Sequence, residues 1–336
     1  MQKITIGILN NLNIGSKYII KVSEMGKETF KEGFLKKGKD RFFFDTDDGV
    51  FYPFVGGIFE NFVVSVNITP VLEKIRLTFL GSGSAFVLGK ENFNSNILFE
   101  TGEDNCLFDA GTTLADALDM QGFSEQDIKK VFISHLHGDH SGGMEMLGFK
   151  TYFSKFPLGS HKVKVYSSKD ILRDMWDKQL SLSMNSISTD KFELSTFFDV
   201  NALDFTMEDN FSGYESFNIG SIKAIPVKTF HSHMDSFGLY LKEKDIFITG
   251  DTKFTPNKFK DLFKKAKIIF HDCEFKDYEN GFHAQFRQLK TLSEEIKSKM
   301  YLYHYSLGDK TFEELEKEVL DEGFKGLVQR GFSIEV

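Results

Sequence analysis

The stretch VFISHLHGDHSGG, Val131 to Gly143, sets three histidines and an aspartate within six consecutive positions, directly after an apolar run of β-type residues. A polar loop can be rich in histidine by chance. Imidazole and carboxylate packed this densely are also what a borderline divalent ion selects. In the order HxHxDH, His135 and His137 reach one ion from the same side. Gly138 turns the chain, and Asp139 with His140 then faces a second ion. A lone histidine would more often be a core or surface residue than a ligand, so the reading depends on what else meets this group.

Other strands end the same way. Asp109 closes CLFD, His231 follows AIPVKTF, Asp251 ends IFITGD and His304 ends MYLYH. Open α/β sheets gather ligand sites at the carboxyl ends of their strands. Two ions need a bridging carboxylate and further imidazole, and Asp251 and His304 are the natural suppliers.

The 336 residues suggest one large domain and a smaller one. Residues 1–73 read as a β-rich accessory domain. RFFFDTDDGVFYPF gives strand, Asp48-Gly49 turn and strand, and NFVVSVNI adds another. Guarding a pocket and building a homodimer are both open to it. Residues 74–336 alternate strands (KIRLTFLG, NILFET, NCLFDAG, VFISH, SIKAIPVKTF, FGLYLKE, DIFITGD, KIIFHD, MYLYHYS) with helical segments such as GGMEMLGF, PNKFKDLFKKA and TFEELEKEVLDEG. Residues 168–198 read as polar helical material over a site, where Met175 and Trp176 either cover a ligand or pack in the core.

Charge narrows the partners. The net charge of −8 argues against blanket phosphate neutralisation of duplex DNA or tRNA, which calls for a basic face. Two distant cysteines in no CxxC pair fit a reducing compartment, hence the cytoplasm. MQKITIGILNNL has no basic stretch before a long apolar core, and no run approaches a membrane span.

From LTFLGSGSAF to the C-terminus the chain resembles the metallo-β-lactamase fold superfamily, with FLGSGSAF, FDAG, SHLHGDH, TGDT and YHYS in that family's order. The resemblance implies an α/β fold, an αββα sandwich with a dinuclear site along one edge. It further implies that His135, His137 and a later histidine hold one metal, that Asp139, His140 and His304 hold the other, and that Asp251 bridges. FHSHMDSFG offers His231 or His233 as the later ligand. His231, directly off the strand, is favoured, and both stay open.

FHDCEF and HAQF resemble elements of the tRNase Z and phosphodiesterase branch, although HDCEF is not HEATF and AQ stands where ST is usual. There a histidine about one helix before the last ligand works at the leaving group, a role that would fall to His283. A capping or surface histidine is the plainer alternative. His271 and Asp272 are either a pair orienting ligands or, for His271, a buried structural residue.

The chemistry expected is hydrolysis by water activated between two zinc ions, with manganese or iron also suited to these donors. Asp139 would orient the attacking oxygen and His283 protonate the leaving one. The substrate expected is a small phosphodiester, such as a cyclic nucleotide. A tRNase Z-like endoribonuclease acting on RNA, and a lactonase or thioesterase on the same scaffold, are the alternatives.

Overall fold

A computed structural model describes residues 2–3, 17–24, 27–37, 42–47, 49–53, 61–66, 74–87, 92–187, 191–204, 215–277 and 281–336. The chain divides into two compact units, Met1–Glu73 and Lys74–Val336.

The described residues of the smaller unit are almost entirely β strand. Its strands are β1 (Gln2–Lys3), β2 (Lys17–Glu24), β3 (Lys27–Lys37), β4 (Phe42–Thr46), β5 (Gly49–Pro53) and β6 (Asn61–Val66). Strands β2 to β5 form an antiparallel meander, and β6 pairs antiparallel with β2 and parallel with β5, so the sheet closes on itself. Tyr18, Ile20 and Val22 alternate along β2 onto one buried face, joined by Leu35, Phe44 and Phe51. The hairpin expected around Asp48-Gly49 appears as β4 and β5, with Thr46 opposite Gly49. Asp48 itself lies outside the described residues.

The larger unit stacks two seven-stranded sheets. The first holds β7 (Arg76–Phe79), β8 (Ile97–Glu100), β9 (Asn105–Phe108), β10 (Lys130–Phe132), β11 (Val163–Ser168) and β12 (Phe198–Leu203). The second holds β13 (Phe217–Ile219), β14 (Ile222–Thr229), β15 (Ser236–Leu241), β16 (Ile246–Ile248), β17 (Ile268–Asp272), β18 (Met300–Tyr303) and β19 (Gly326–Leu327). The last strand, β20 (Ser333–Glu335), returns to pair with β7. Strands β9 to β12 are parallel, as are β16 to β19, and the remainder of each sheet is antiparallel.

Aromatic side chains join the sheets face to face. Phe79 of β7 lies 4.8 Å from Phe270 of β17, and Phe132 of β10 lies 5.6 Å from Phe217 of β13, centroid to centroid. Helices Leu114–Met120 and Met144–Tyr152 pack against one outer face, and Lys260–Lys265 and Phe312–Asp321 against the other. This is the αββα sandwich. Strands β15 and β16 are buried along their whole length, as covering on both faces requires.

Two segments differ from the sequence reading. Between Gly143 and Ser221 the structure places three strands, β11, β12 and β13, where none is expected. The helical segment after β11 runs as Lys169–Asp174, a π-turn Met175–Leu180 and Ser181–Met184. Met175 is fully buried in the core, and Trp176 packs beside Phe197 with centroids 6.3 Å apart. Core packing is therefore what this segment does with both side chains.

Candidate metal centre

Six polar side chains arise where strands of the two sheets end along one edge. Asp109 follows β9, His135 lies just beyond β10, His231 just beyond β14, Asp251 beyond β16, Asp272 ends β17 and His304 follows β18. Asp109 and His304 adopt left-handed backbone angles, φ +66° and +61°. Non-glycine residues rarely accept this conformation, and here the turn aims each side chain across the strand ends. Between His137 and Ser141 the chain forms a single helical turn, Gly138–Ser141, which lifts Asp139 and His140 onto the same edge. Gly111 makes room for that turn, because a Cβ there would stand 2.0 Å from the Asp139 carbonyl oxygen.

Two groups of donors gather the histidines of the strand ends and the HLHGDH turn, and a third, Asp251, Asp272, His283 and His304, overlaps them. His135, His137, His231 and Asp251 each place one donor atom within 4.8 Å of the others, and so do Asp139, His140, Asp251 and His304. Asp251 belongs to both. Its Oδ2 lies 3.3 Å from His140 Nε2, 3.6 Å from His231 Nε2 and 3.8 Å from His135 Nε2, and its Oδ1 lies 3.4 Å from His304 Nε2. This is the arrangement a bridging carboxylate between two cations needs. His233 stands apart as an exposed residue in the loop after His231, outside either group.

Contacts at the far ring nitrogens of four histidines set which nitrogen each turns inward. His231 Nδ1 donates to the Phe282 carbonyl at 2.8 Å, and His140 Nδ1 to Asp109 Oδ2 at 2.7 Å. His304 Nδ1 faces Asp272 Oδ1 at 3.3 Å, and His135 Nδ1 pairs with Ser134 Oγ at 2.9 Å. Nε2 of these four rings is thereby turned toward the cluster, whereas His137 presents Nδ1. Asp109, a strand-end residue, thus joins neither donor group. It is fully buried, accepts from Ser134 N and Oγ as well, and positions His140.

The inward face fits a pair of divalent ions. His135 Nε2 and His231 Nε2 lie 3.0 and 3.1 Å from His137 Nδ1, three ring nitrogens converging on one point. His140 Nε2 and Asp251 Oδ1 are buried with no hydrogen-bond partner. A cation at each group satisfies these atoms, and imidazole with carboxylate is a donor set for zinc, manganese or iron.

Titration follows the same division. Burial first, then neighbouring histidines, hold His135, His137 and His231 below the ordinary imidazole range, neutral and able to ligate. Burial would lower His140 and His304 too, but the carboxylates around them, led by Asp251, raise both well above it. Burial would raise Asp139, yet His140 and then His304 outweigh it and keep the carboxyl ionised.

Beside this cluster stands His283. Its ring stacks on that of His304, centroids 5.1 Å apart, and its Nδ1 lies 2.9 Å from Asp272 Oδ2. Asp272 is fully buried, and the same Oδ2 also accepts from Thr252 N at 2.9 Å. His271, its neighbour, turns the other way. It is buried, with Nδ1 bonded to the Asp272 carbonyl at 2.7 Å and its ring 5.9 Å from that of Phe263. The pair therefore divides, Asp272 supporting the site and His271 the core.

A pocket of about 660 Å³ opens above the cluster, lined by His137, Asp139, His231, Asp251, His283 and His304. Ser84, Phe86, Phe282 and Ser306 also line it, and none of these four is singled out by the sequence reading. The only signal for them is adjacency, Ser84 and Phe86 lying in GSGSAF and Phe282 directly before His283.

Comparison with known proteins bears on the family and the fold. The family model described as Anti-Pycsar protein Apyc1 matches residues 75–334. An anti-Pycsar protein Apyc1 from Paenibacillus sp. (strain J14) is 30% identical over 236 residues, covering 69% of this chain and 89% of that protein. Among solved structures, the metallo-β-lactamase fold protein YhfI from Bacillus subtilis superposes with a TM-score of 0.59 at 18% identity, covering 78% of this chain and 100% of that one. The short form of human tRNase Z gives a TM-score of 0.57 at 20% identity, covering 77% of this chain and 98% of that one.

Proposed function

Because the chain belongs to the anti-Pycsar protein Apyc1 family, we propose that it is a metal-dependent phosphodiesterase that hydrolyses the phosphodiester bond of a cyclic nucleotide. One observation carries the reading: two four-donor groups share Asp251 at the floor of a pocket in which His283 stands ready.

His135, His137 and His231 with Asp251 would hold one divalent ion, and Asp139, His140 and His304 with the same carboxylate would hold the other. Bound there, the pair supplies Lewis acidity to the phosphoryl oxygens and acidifies water. Asp139, ionised and lining the pocket, accepts a hydrogen bond from the attacking water and turns its lone pair toward phosphorus. His283, raised by Asp272 against the opposing effect of burial, carries the proton that the departing ribose oxygen needs. Its Nδ1 is held by Asp272, so Nε2 is the donor. One P–O bond forms to water and one to ribose breaks. The water proton leaves toward Asp139, and the ribose oxygen is protonated by His283.

A pocket of about 660 Å³ suits a small nucleotide, and a net charge of −8 disfavours a polyanion such as tRNA. Zinc is the expected ion. The N-terminal unit, whose described residues supply none of these donors, serves as an accessory module. Cys106 and Cys273 are buried and unpaired, which suits the reducing cytoplasm. Among the described residues no helix is long and apolar enough to cross a membrane.

The test is turnover by the metal-loaded full chain across cyclic mononucleotides, cyclic dinucleotides, short RNA and lactones. Hydrolysis of cyclic mononucleotides, lost on chelation and regained with zinc or manganese, is expected. Turnover of lactones alone would overturn the reading.

A further inference from the structure

Two aromatic rings in the pocket are left without a task by the chemistry above. Phe86 is 94% exposed and Phe282 40%, yet both line the pocket whose floor is Asp139, Asp251 and His304. Single exposed apolar side chains are ordinary. Two phenyl rings at one pocket over a cluster of charged donors combine features that small-molecule sites require, apolar walls and a few placed polar groups.

The rings arrive from different parts of the chain. Phe86 stands in the segment after β7, close to Ser84, whose Oγ lies 2.6 Å from Ser306 Oγ. Phe282 is fixed by its own backbone. Its carbonyl accepts from His231 Nδ1 at 2.8 Å, Gly281 before it takes φ +61°, and His283 after it is tied to Asp272 at 2.9 Å. The ring centroid stands 6.2 Å from that of His231, and Lys253 Nζ lies 5.8 Å from it. The peptide that orients one donor histidine therefore also sets an aromatic wall beside the cluster.

We propose that Phe86 and Phe282 hold the nucleobase of the substrate by stacking, while the donor cluster takes its phosphate end. The inference rests on the phosphodiesterase reading of the site. A nucleotide matches the two ends of the pocket, an anion at one and a flat heteroaromatic ring at the other. Stacking needs only a π-face, so purines and pyrimidines are both accepted, with no requirement for a particular hydrogen-bonding edge.

The test uses the metal-loaded full chain and calorimetric titration with adenosine 5′-monophosphate, uridine 5′-monophosphate and ribose 5-phosphate, which lacks a base. Both mononucleotides are expected to bind roughly ten- to a hundredfold more tightly than ribose 5-phosphate. In Phe86→Ala and Phe282→Ala that gap shrinks while ribose 5-phosphate affinity holds. Phe86→Trp and Phe282→Tyr preserve the gap. With a cyclic mononucleotide as substrate, the alanine variants raise KM and leave kcat within about twofold. A wild-type chain with no gap, a gap that survives in the double alanine variant, or equal losses for all three ligands overturns the proposal. Failure of the phosphodiesterase reading looks different: no turnover of any cyclic nucleotide by wild type, whatever the calorimetric gap.

Discussion

Asp109 Oδ2 lies 2.7 Å from His140 Nδ1, and neither side chain meets solvent. The contact decides which face of the imidazole is turned toward Asp139 and Asp251, so a residue outside the donor groups governs one donor within them. Asp109→Asn keeps the volume but removes the charge and one acceptor, and Ser134 N and Oγ compete for what remains. Removing such support typically weakens metal binding about 10- to 100-fold. Zinc competition against a chelating dye reads the loss directly. Wild-type affinity in this variant would show that His140 needs no such anchor.

The proposed proton delivery by His283, with Asp272 behind it, can be tested separately from metal binding. His283→Ala is expected to lower kcat by roughly 10²- to 10⁴-fold, with both ions retained by elemental analysis. A leaving group that departs without a proton, such as p-nitrophenolate, should recover most of that loss. Asp272→Asn should follow the same pattern more mildly, because the imidazole stays in place while its charge is no longer favoured. Equal losses on both kinds of leaving group would remove His283 from the protonation step.

Two histidines compete in FHSHMDSFG, and the structure separates them by position. His231 is buried, with Nε2 3.1 Å from His137 Nδ1, whereas His233 is exposed. His231→Ala should bring metal content toward one ion per chain, His233→Ala should leave two, and Asp251→Ala should lose both together with turnover. Mass spectrometry under native conditions counts them. Loss on His233→Ala instead would mean that the loop rearranges when metal binds.

His135, His231, Asp251 and His304 are legible in the sequence because each follows an apolar run whose end shares an edge in this class of fold, and His137, Asp139 and His140 by their spacing in HLHGDH. The supporting residues were harder to read. Asp272 looks, in sequence, like a partner of the adjacent His271, but successive strand residues face opposite ways, so one supports the site and the other packs in the core. Strands β11 and β12 are hard to read from sequence for a related reason. VKVYSS and FDVNAL are short, mix lysine, serine, aspartate and asparagine with apolar residues, and pair in parallel with each other and β10, so no local hairpin signal marks them. The pocket walls gave no pattern at all, because Phe86 and Phe282 are isolated aromatics among 38 phenylalanines.

Metal removal should cost stability as well as turnover, and the reason lies in the inward atoms. Three ring nitrogens of His135, His137 and His231 approach within 3.0 and 3.1 Å, while His140 Nε2 and Asp251 Oδ1 find no hydrogen bond. Each buried polar atom left unsatisfied costs about 1–3 kcal/mol. A cation removes that penalty only in the folded chain, because the unfolded one scatters residues 135 to 304. By linkage, a site held at 100 times its Kd stabilises the fold by about 2.7 kcal/mol, which for a unit of this size is roughly 5–10 °C in Tm. Calorimetry of the full chain before and after chelation should therefore show the transition of the larger unit moving down by at least that amount. Zinc added back should restore it, and Asp251→Ala, having lost the shared carboxylate, should melt at one temperature with or without chelator. A wild-type transition indifferent to chelation would mean that the cluster is already satisfied without cations.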